Sequence, residues 1–217
     1  AFQYYDRTKV LFNGADSIKT GKFAFSFAVP KDINYSDGTG LINLYAVNND
    51  KTITANGHSD HFKVGGSDVA DNDSIGPAIY CYLNSPSFEN GGNVNTTPYF
   101  VAQVKDENGI NVTGSGIGHN VILIIDGKAT MTYNLNDNFN FDFGTYKSGT
   151  TYYNIPELTE GRHKLQFRAW DILNNSSTAQ LDFNVVNRLE PNFFGVSLSN
   201  NPATTTTTFI VNHDRTG

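Results

Sequence analysis

The sequence predicts an all-β fold of tandem antiparallel sandwiches, and three observations carry that expectation. Residues 161–186 read as two long strands of alternating apolar and polar character. They flank a turn made of Asn174, Asn175, Ser176 and Ser177, side chains that bond nearby backbone or tolerate left-handed dihedrals. Turn signals recur about every 8–12 residues, the spacing of short strands in a sandwich. No stretch holds helical periodicity beyond a turn or two, and an aromatic share of 13%, with 16 Phe and 11 Tyr, suits pleated half-buried surfaces.

Taken in order, residues 9–12 (KVLF) read as an edge strand before the Asn13-Gly14 turn. Residues 22–29 alternate Phe23, Phe25, Phe27 and Val29 with smaller residues and form the clearest strand of the first half. Residues 41–47 (LINLYAV) are apolar on both faces, as in a central strand. Residues 48–57 read as a loop, and residues 61–64 as a short strand before Gly65-Gly66. The segment 65–76 (GGSDVADNDSIG) is small, polar and acidic, which makes 67–74 the linker.

The second domain, 75–187, offers strands at 78–83, 99–104, 121–126, 129–135, 139–143, 151–155 and in the 161–186 hairpin. Asp126-Gly127 is the dipeptide of a type I′ hairpin turn. Seven to eight such strands read as an immunoglobulin-like sandwich, without the paired cysteines of antibody domains. The expected division is therefore a sandwich at 1–66, the linker at 67–74, a sandwich at 75–187 and the start of a third β-domain at 188–217. Both ends read as cut within a longer chain.

Bulk properties exclude several function classes. The net charge of −6 is spread along the chain, with no basic stripe to meet nucleic acid or an anionic membrane. No run approaches the roughly 20 apolar residues of a membrane span, and no signal peptide begins the chain. A single cysteine, Cys81, rules out an internal disulfide framework.

Chemistry-bearing residues are few. Cys81 and His119, with Asn120 as orienter, hold the residue types of a cysteine peptidase. Cys81 nevertheless shares a strand face with Ile79 and Leu83, and a reactive thiolate needs an electropositive, partly open setting. His119 stands in the glycine-rich run 114–120 (GSGIGHN) and is read as a structural hydrogen-bonder. His58 and His61 have an H-x-x-H spacing around Asp60, but on an extended segment they point to opposite faces and lack a third ligand. Asp68, Asp71 and Asp73 form an oxygen cluster of the kind calcium accepts, although a solvated acidic linker is the default reading. Trp170 lies on the side of its strand shared with Gln166 and Arg168, either as a partner anchor or as a cover for the edge between the sheets. Tyr80 and Tyr82 raise the same question.

Several motifs together carry a family resemblance. They are GGxD…DxxGPxI…LN (Gly65, Gly66, Asp68, Asp73, Gly76, Pro77, Ile79, Leu83, Asn84), residues 106–120 (DENGINVTGSGIGHN), 125–127 (IDG), 161–177 (GRHKLQFRAWDILNNSS) and LSNNPATTTTTF near the end. The chain resembles the C-terminal β-rich region of the PorU family, gingipain-like (C25) cysteine peptidases that act as signal peptidase or sortase of the type IX secretion system. The resemblance spans nearly the whole chain. It implies that catalysis belongs to an upstream caspase-like domain, so no catalytic residue carries over. It also implies a cell-surface location on the extracellular side of the bacterial outer membrane. The implied partners are the upstream catalytic domain, a PorV-like outer-membrane barrel and type IX cargo. After Asn201-Pro202 this sequence has Ala203 where the family's end domain often has an aromatic.

Overall fold

The computed structural model describes residues 10–33, 38–65, 72–187, 189, 193–199 and 205–213. Fourteen strands run through them: β1 (Ile42–Val47), β2 (Thr54–Ser59), β3 (Ala78–Leu83), β4 (Asn93–Val94), β5 (Tyr99–Lys105), β6 (Ile110–Asn111), β7 (Ile122–Ile125), β8 (Thr132–Asn134), β9 (Phe139–Phe141), β10 (Ser148–Asn154), β11 (Gly161–Asp171), β12 (Ser176–Val185), β13 (Phe193–Leu198) and β14 (Phe209–His213). The only helical elements among these residues are two 3-10 turns, at Ala129–Met131 and Asn136–Asn138. The all-β expectation holds.

The chain divides into two units, one of Ala1–Asp32 with Ser74–Gly217 and the other of Ile33–Asp73. In the larger unit, a four-stranded sheet of order β3-β5-β10-β9 faces a second sheet of order β4-β12-β11-β7-β8, in which β6 also pairs with β11. Every pairing is antiparallel except β4 with β12. The period-2 alternation decides which side chains meet. Leu83, Phe100, Ala102 and Val104 from one sheet share a core with Leu123, Ile125, Leu165, Phe167, Ala169, Phe183 and Val185 from the other. Phe100 and Phe167 bridge the sheets at 5.2 Å between ring centroids. Burying side chains of this size stabilises a fold by about 1.5–3 kcal/mol each.

The 161–186 hairpin is the longest pairing, in register from Gly161↔Val185 to Trp170↔Ser176. The Asp126-Gly127 turn closes β7 as expected, with φ of 54° and 64° and the Lys128 N–H donating to the Ile125 carbonyl at 3.0 Å. Asp126 also accepts from the Lys164 N–H at 3.1 Å, from His163 at 2.9 Å and from Lys128 at 3.3 Å. Burial alone would push its carboxyl up, but these donors together hold it below the ordinary range. A carboxyl depressed in the folded state contributes stability that is present above its unfolded pKa and lost as pH falls through the folded one. Asp126→Asn keeps a residue that tolerates the turn. It is therefore expected to lower urea midpoints at pH 6 and to converge with wild type near pH 3; a gap unchanged with pH would contradict the assignment.

The first third of the chain departs from expectation. Residues 22–29 form no ladder among the described residues, and Phe23 and Phe25 stay 50% and 39% exposed. Their rings stack on one another along the chain instead, from Phe23 through Phe25 to Phe27 and on to Phe12. The described part of 9–12 is not a strand either, and Phe12 packs on Phe141 of β9 with ring centroids 5.0 Å apart. Residues 10–32 thus belong with the larger unit rather than with a separate sandwich at 1–66. β1 falls where residues 41–47 were expected to form a central strand, yet Leu44, Tyr45 and Val47 are exposed. Its partner β2 lies in the segment read as a loop, while residues 61–64 form no strand. The expected boundary at 66/75 becomes an excursion that leaves the larger unit after Asp32 and rejoins it at Ser74.

β13 and β14 pair as an antiparallel hairpin, with a bulge between Phe194 and Val196.

Candidate functional site

Several chemistry-bearing residues of the larger unit collect around the turn of the β11–β12 hairpin. Residues 106–109 (DENG), the glycine loop 114–120 and the hairpin turn 171–175 all come there, as does the segment ending at Asp32. The Lys31 N–H donates to the Ile172 carbonyl at 2.8 Å, and the Ile172 N–H donates to the Gly109 carbonyl at 3.0 Å. Gly76, where the chain returns, passes so close that a Cβ there would lie 2.5–2.6 Å from the Ser176 backbone; only glycine fits.

Asp32 is the centre of the first cluster. Its carboxylate accepts from the Asn111 side-chain amide at 3.0 Å, from the Gly116 N–H at 2.8 Å and from His119 Nδ1 at 2.6 Å. The Asp32 side chain is 9% exposed and that of His119 21%. The other side of the imidazole packs on Trp170 with ring centroids 4.1 Å apart. Arg168 lies over the same indole at 5.4 Å and donates to the Gly118 carbonyl at 3.0 Å. The motifs GSGIGHN and AWDILNN therefore meet physically, through His119 and Trp170. The glycines let the loop turn tightly enough to aim a backbone N–H and an imidazole at one carboxylate.

Trp170 is half-buried, and its indole N–H is enclosed without an acceptor among the described residues. Its ring contacts His119 and Arg168. Asn120 orients nothing catalytic; its side-chain oxygen accepts from Asn136 at 3.0 Å.

The second cluster is a pair of buried carboxylates. Asp106 is 8% exposed and Asp171 fully buried, and each offers an oxygen within 4.8 Å of the other. Each also caps its own turn. Asp106 accepts from the Asn108 and Gly109 N–H groups, and Asp171 from those of Leu173 and Asn175 and from the Asn175 amide. Desolvation pushes the Asp171 carboxyl up, the Asn175 and Leu173 donors pull it down, and the Asp106 charge adds to the rise, so the net direction is upward.

The other expected candidates are placed as follows. Cys81 sits on β3 opposite Ala102 and packs against the core with Ile79 and Leu83. Burial pushes its thiol up to about 11, so the thiolate needed for nucleophilic attack is scarce at neutral pH. His119, its imagined base, has one ring nitrogen committed to Asp32. His58 lies exposed on β2 opposite Asn43, and His61 lies beyond that strand beside Asp60. Asp68 and Asp71 lie outside the described residues, and Asp73 is half-buried at the end of the smaller unit. Sequence reasoning missed Asp32, Asn111, Asp106 and Asp171. For the last two, the signal was an acidic residue two positions before a turn's backbone donors.

Among solved structures, the chain is similar to part of the crystal structure of dimeric latent PorU from Porphyromonas gingivalis. The identity is 41% and the TM-score 0.54, over 86% of this chain and 18% of that chain. The chain is thus related to a portion of PorU and spans less than a fifth of its length. An endo-beta-1,4-mannanase from Thermotoga petrophila is similar at 12% identity and a TM-score of 0.34, over 51% of this chain and 20% of that chain, too weakly to bear on function. No protein-family model matches, and no curated protein does.

Proposed function

We propose that this chain is the non-catalytic, C-terminal accessory region of a PorU-like cell-surface cysteine peptidase, and that it spaces, stabilises or docks the catalytic domain. The observation that carries the reading is the 41% identity to PorU over 86% of the chain, confined to 18% of that protein. The raised thiol of Cys81 agrees with it, since the chain's only cysteine is poorly suited to attack a peptide bond. The working partners are then the upstream catalytic domain, a PorV-like outer-membrane barrel and type IX cargo, at the extracellular side of the outer membrane. Sequencing the complete reading frame tests this. A caspase-like domain with paired His and Cys upstream of residue 1 is expected, and its absence sinks the proposal. A second reading, a free-standing adhesion or carbohydrate-binding module, rests on the exposed tyrosines of the four-stranded sheet.

Calcium belongs to the proposal only as a structural ion. The Asp106 and Asp171 oxygens provide hard ligands for it, and a cation there would relieve their mutual repulsion. The expected outcome is a melting temperature lowered by EDTA in wild type and insensitive to EDTA in Asp171→Asn. An unchanged wild-type value removes calcium from the account.

A further inference from the structure

The outer face of the four-stranded sheet gathers aromatic side chains that neither the core nor the Asp32 cluster uses. Tyr82 of β3, Val101 of β5 and Tyr152 of β10 lie opposite one another, with Tyr80, Gln103 and Thr150 in the next outward row along the sheet. Tyr99, two residues before Val101, shares the face. Val101 is 4% exposed, whereas Tyr80 is 52% and Tyr152 42% exposed, so the rings shield the aliphatic floor and present themselves to solvent. The Tyr80 and Tyr82 rings are 5.7 Å apart, and those of Tyr99 and Tyr152 are 6.1 Å apart and nearly parallel. The Tyr80 hydroxyl donates to the Pro86 carbonyl at 3.0 Å. Burial first, then neighbouring tyrosines, push the Tyr82 and Tyr99 hydroxyls upward, so both stay protonated donors.

From this geometry we infer that the face binds a hydroxyl-rich glycan chain, with Tyr80, Tyr82, Tyr99 and Tyr152 as its stacking platform. A pyranose presents C–H groups on its faces and hydroxyls at its rim, and a tyrosine sheet offers the converse, ring faces edged by hydroxyls. The charge pattern agrees. The outward strand positions of this face carry no carboxylate and one cation, Lys105, in a chain of net charge −6. The outward positions of β11 and β12 instead hold Arg162, Lys164, Arg168 and Asp182. Beside the rings lies an open cleft of about 520 Å³ where Tyr80, Gln103, Lys105, Asp142, Ser148 and Thr150 bring amide, ammonium, carboxylate and hydroxyl groups within reach of sugar hydroxyls, Asp142 from the loop after β9 being its one carboxylate. A protein partner would instead find the aliphatic Val101 already covered and the adjoining cleft lined mostly by polar residues, a poor seat for an apolar anchor side chain. The inference does not depend on whether the chain travels with a peptidase.

The experiment is affinity electrophoresis of the full 217-residue chain through gels containing mannan, xylan or dextran. Wild type is expected to be retarded by at least one of them. The double variant Tyr80→Ser/Tyr152→Ser is expected to lose about tenfold or more in affinity while it still unfolds in one cooperative transition. Gln103→Arg, which lays a long side chain across the face and leaves the rings in place, is the second variant and is expected to lose retardation too. Tyr80→Phe/Tyr152→Phe should retain most of it, because the stacking faces survive. No retardation of wild type in any gel overturns the inference, as does retardation that neither the serine variant nor Gln103→Arg weakens. Concentration-dependent self-association that the serine variant abolishes would assign the face to a second copy and overturn it equally.

Discussion

Replacing Phe167 by alanine is expected to destabilise the larger unit by about 3–5 kcal/mol, the range for emptying a large aromatic site in a packed core. Phe167 is fully buried at the middle of β11, between Leu123 of β7 and Ala179 of β12, and its ring meets Phe100 from the opposite sheet. Removal therefore loses both transfer free energy and an aromatic contact between sheets, and neighbouring strands cannot close the gap because both are hydrogen-bonded to β11. The measurement is urea unfolding followed by far-UV circular dichroism, with Thr178→Ala, an exposed position of β12, as the control within about 0.5 kcal/mol of wild type. A loss below about 1 kcal/mol for Phe167→Ala would mean that the two sheets do not share the core described.

Asp32→Ala is the second large effect, at about 2–3 kcal/mol, because it leaves the Asn111 amide, the Gly116 N–H and His119 without their common acceptor in a mostly buried place. Its signature is local as well as global. Trp170 is the only tryptophan and stacks on His119, so release of the imidazole is expected to shift the native emission to the red. Limited proteolysis should then cut within residues 10–32 faster than in wild type. Unaltered fluorescence and cleavage in a folded variant would remove Asp32 from the role of clasp.

The parts of this arrangement legible in the sequence are those with local causes. Alternation placed the 161–186 hairpin and strands β3 and β5, and Asp126-Gly127 announced its own turn through the dihedrals it tolerates. Alternation misled at residues 22–29, because a period of two reports an extended chain with one stickier side and says nothing about a hydrogen-bonding partner. β4 and β6, at two residues each, are shorter than any period. The Asp32 cluster left no local mark at all: Asp32 is one acid in a polar run, and its meaning comes from Asn111, Gly116 and His119, 79 to 87 positions later. Likewise Asp106 and Asp171 read as solvated turn residues, and only tertiary packing makes them a buried, mutually repelling pair. The family resemblance did join GSGIGHN to AWDILNN, and the stacking of His119 on Trp170 supplies the physical reason.

The clasp also sets a timetable. On the ribosome, Asp32 emerges 87 residues before the histidine that receives it, which at about 5–20 residues per second is an interval of about 4–17 s. Throughout that interval the four phenylalanines at 12, 23, 25 and 27 have one another but not Phe141, so the nascent chain carries an adhesive, unclaimed stretch. A holdase that recognises short aromatic segments is the natural guardian of this interval, and slowing translation between residues 33 and 119 should lower the soluble yield even though no native contact has been altered.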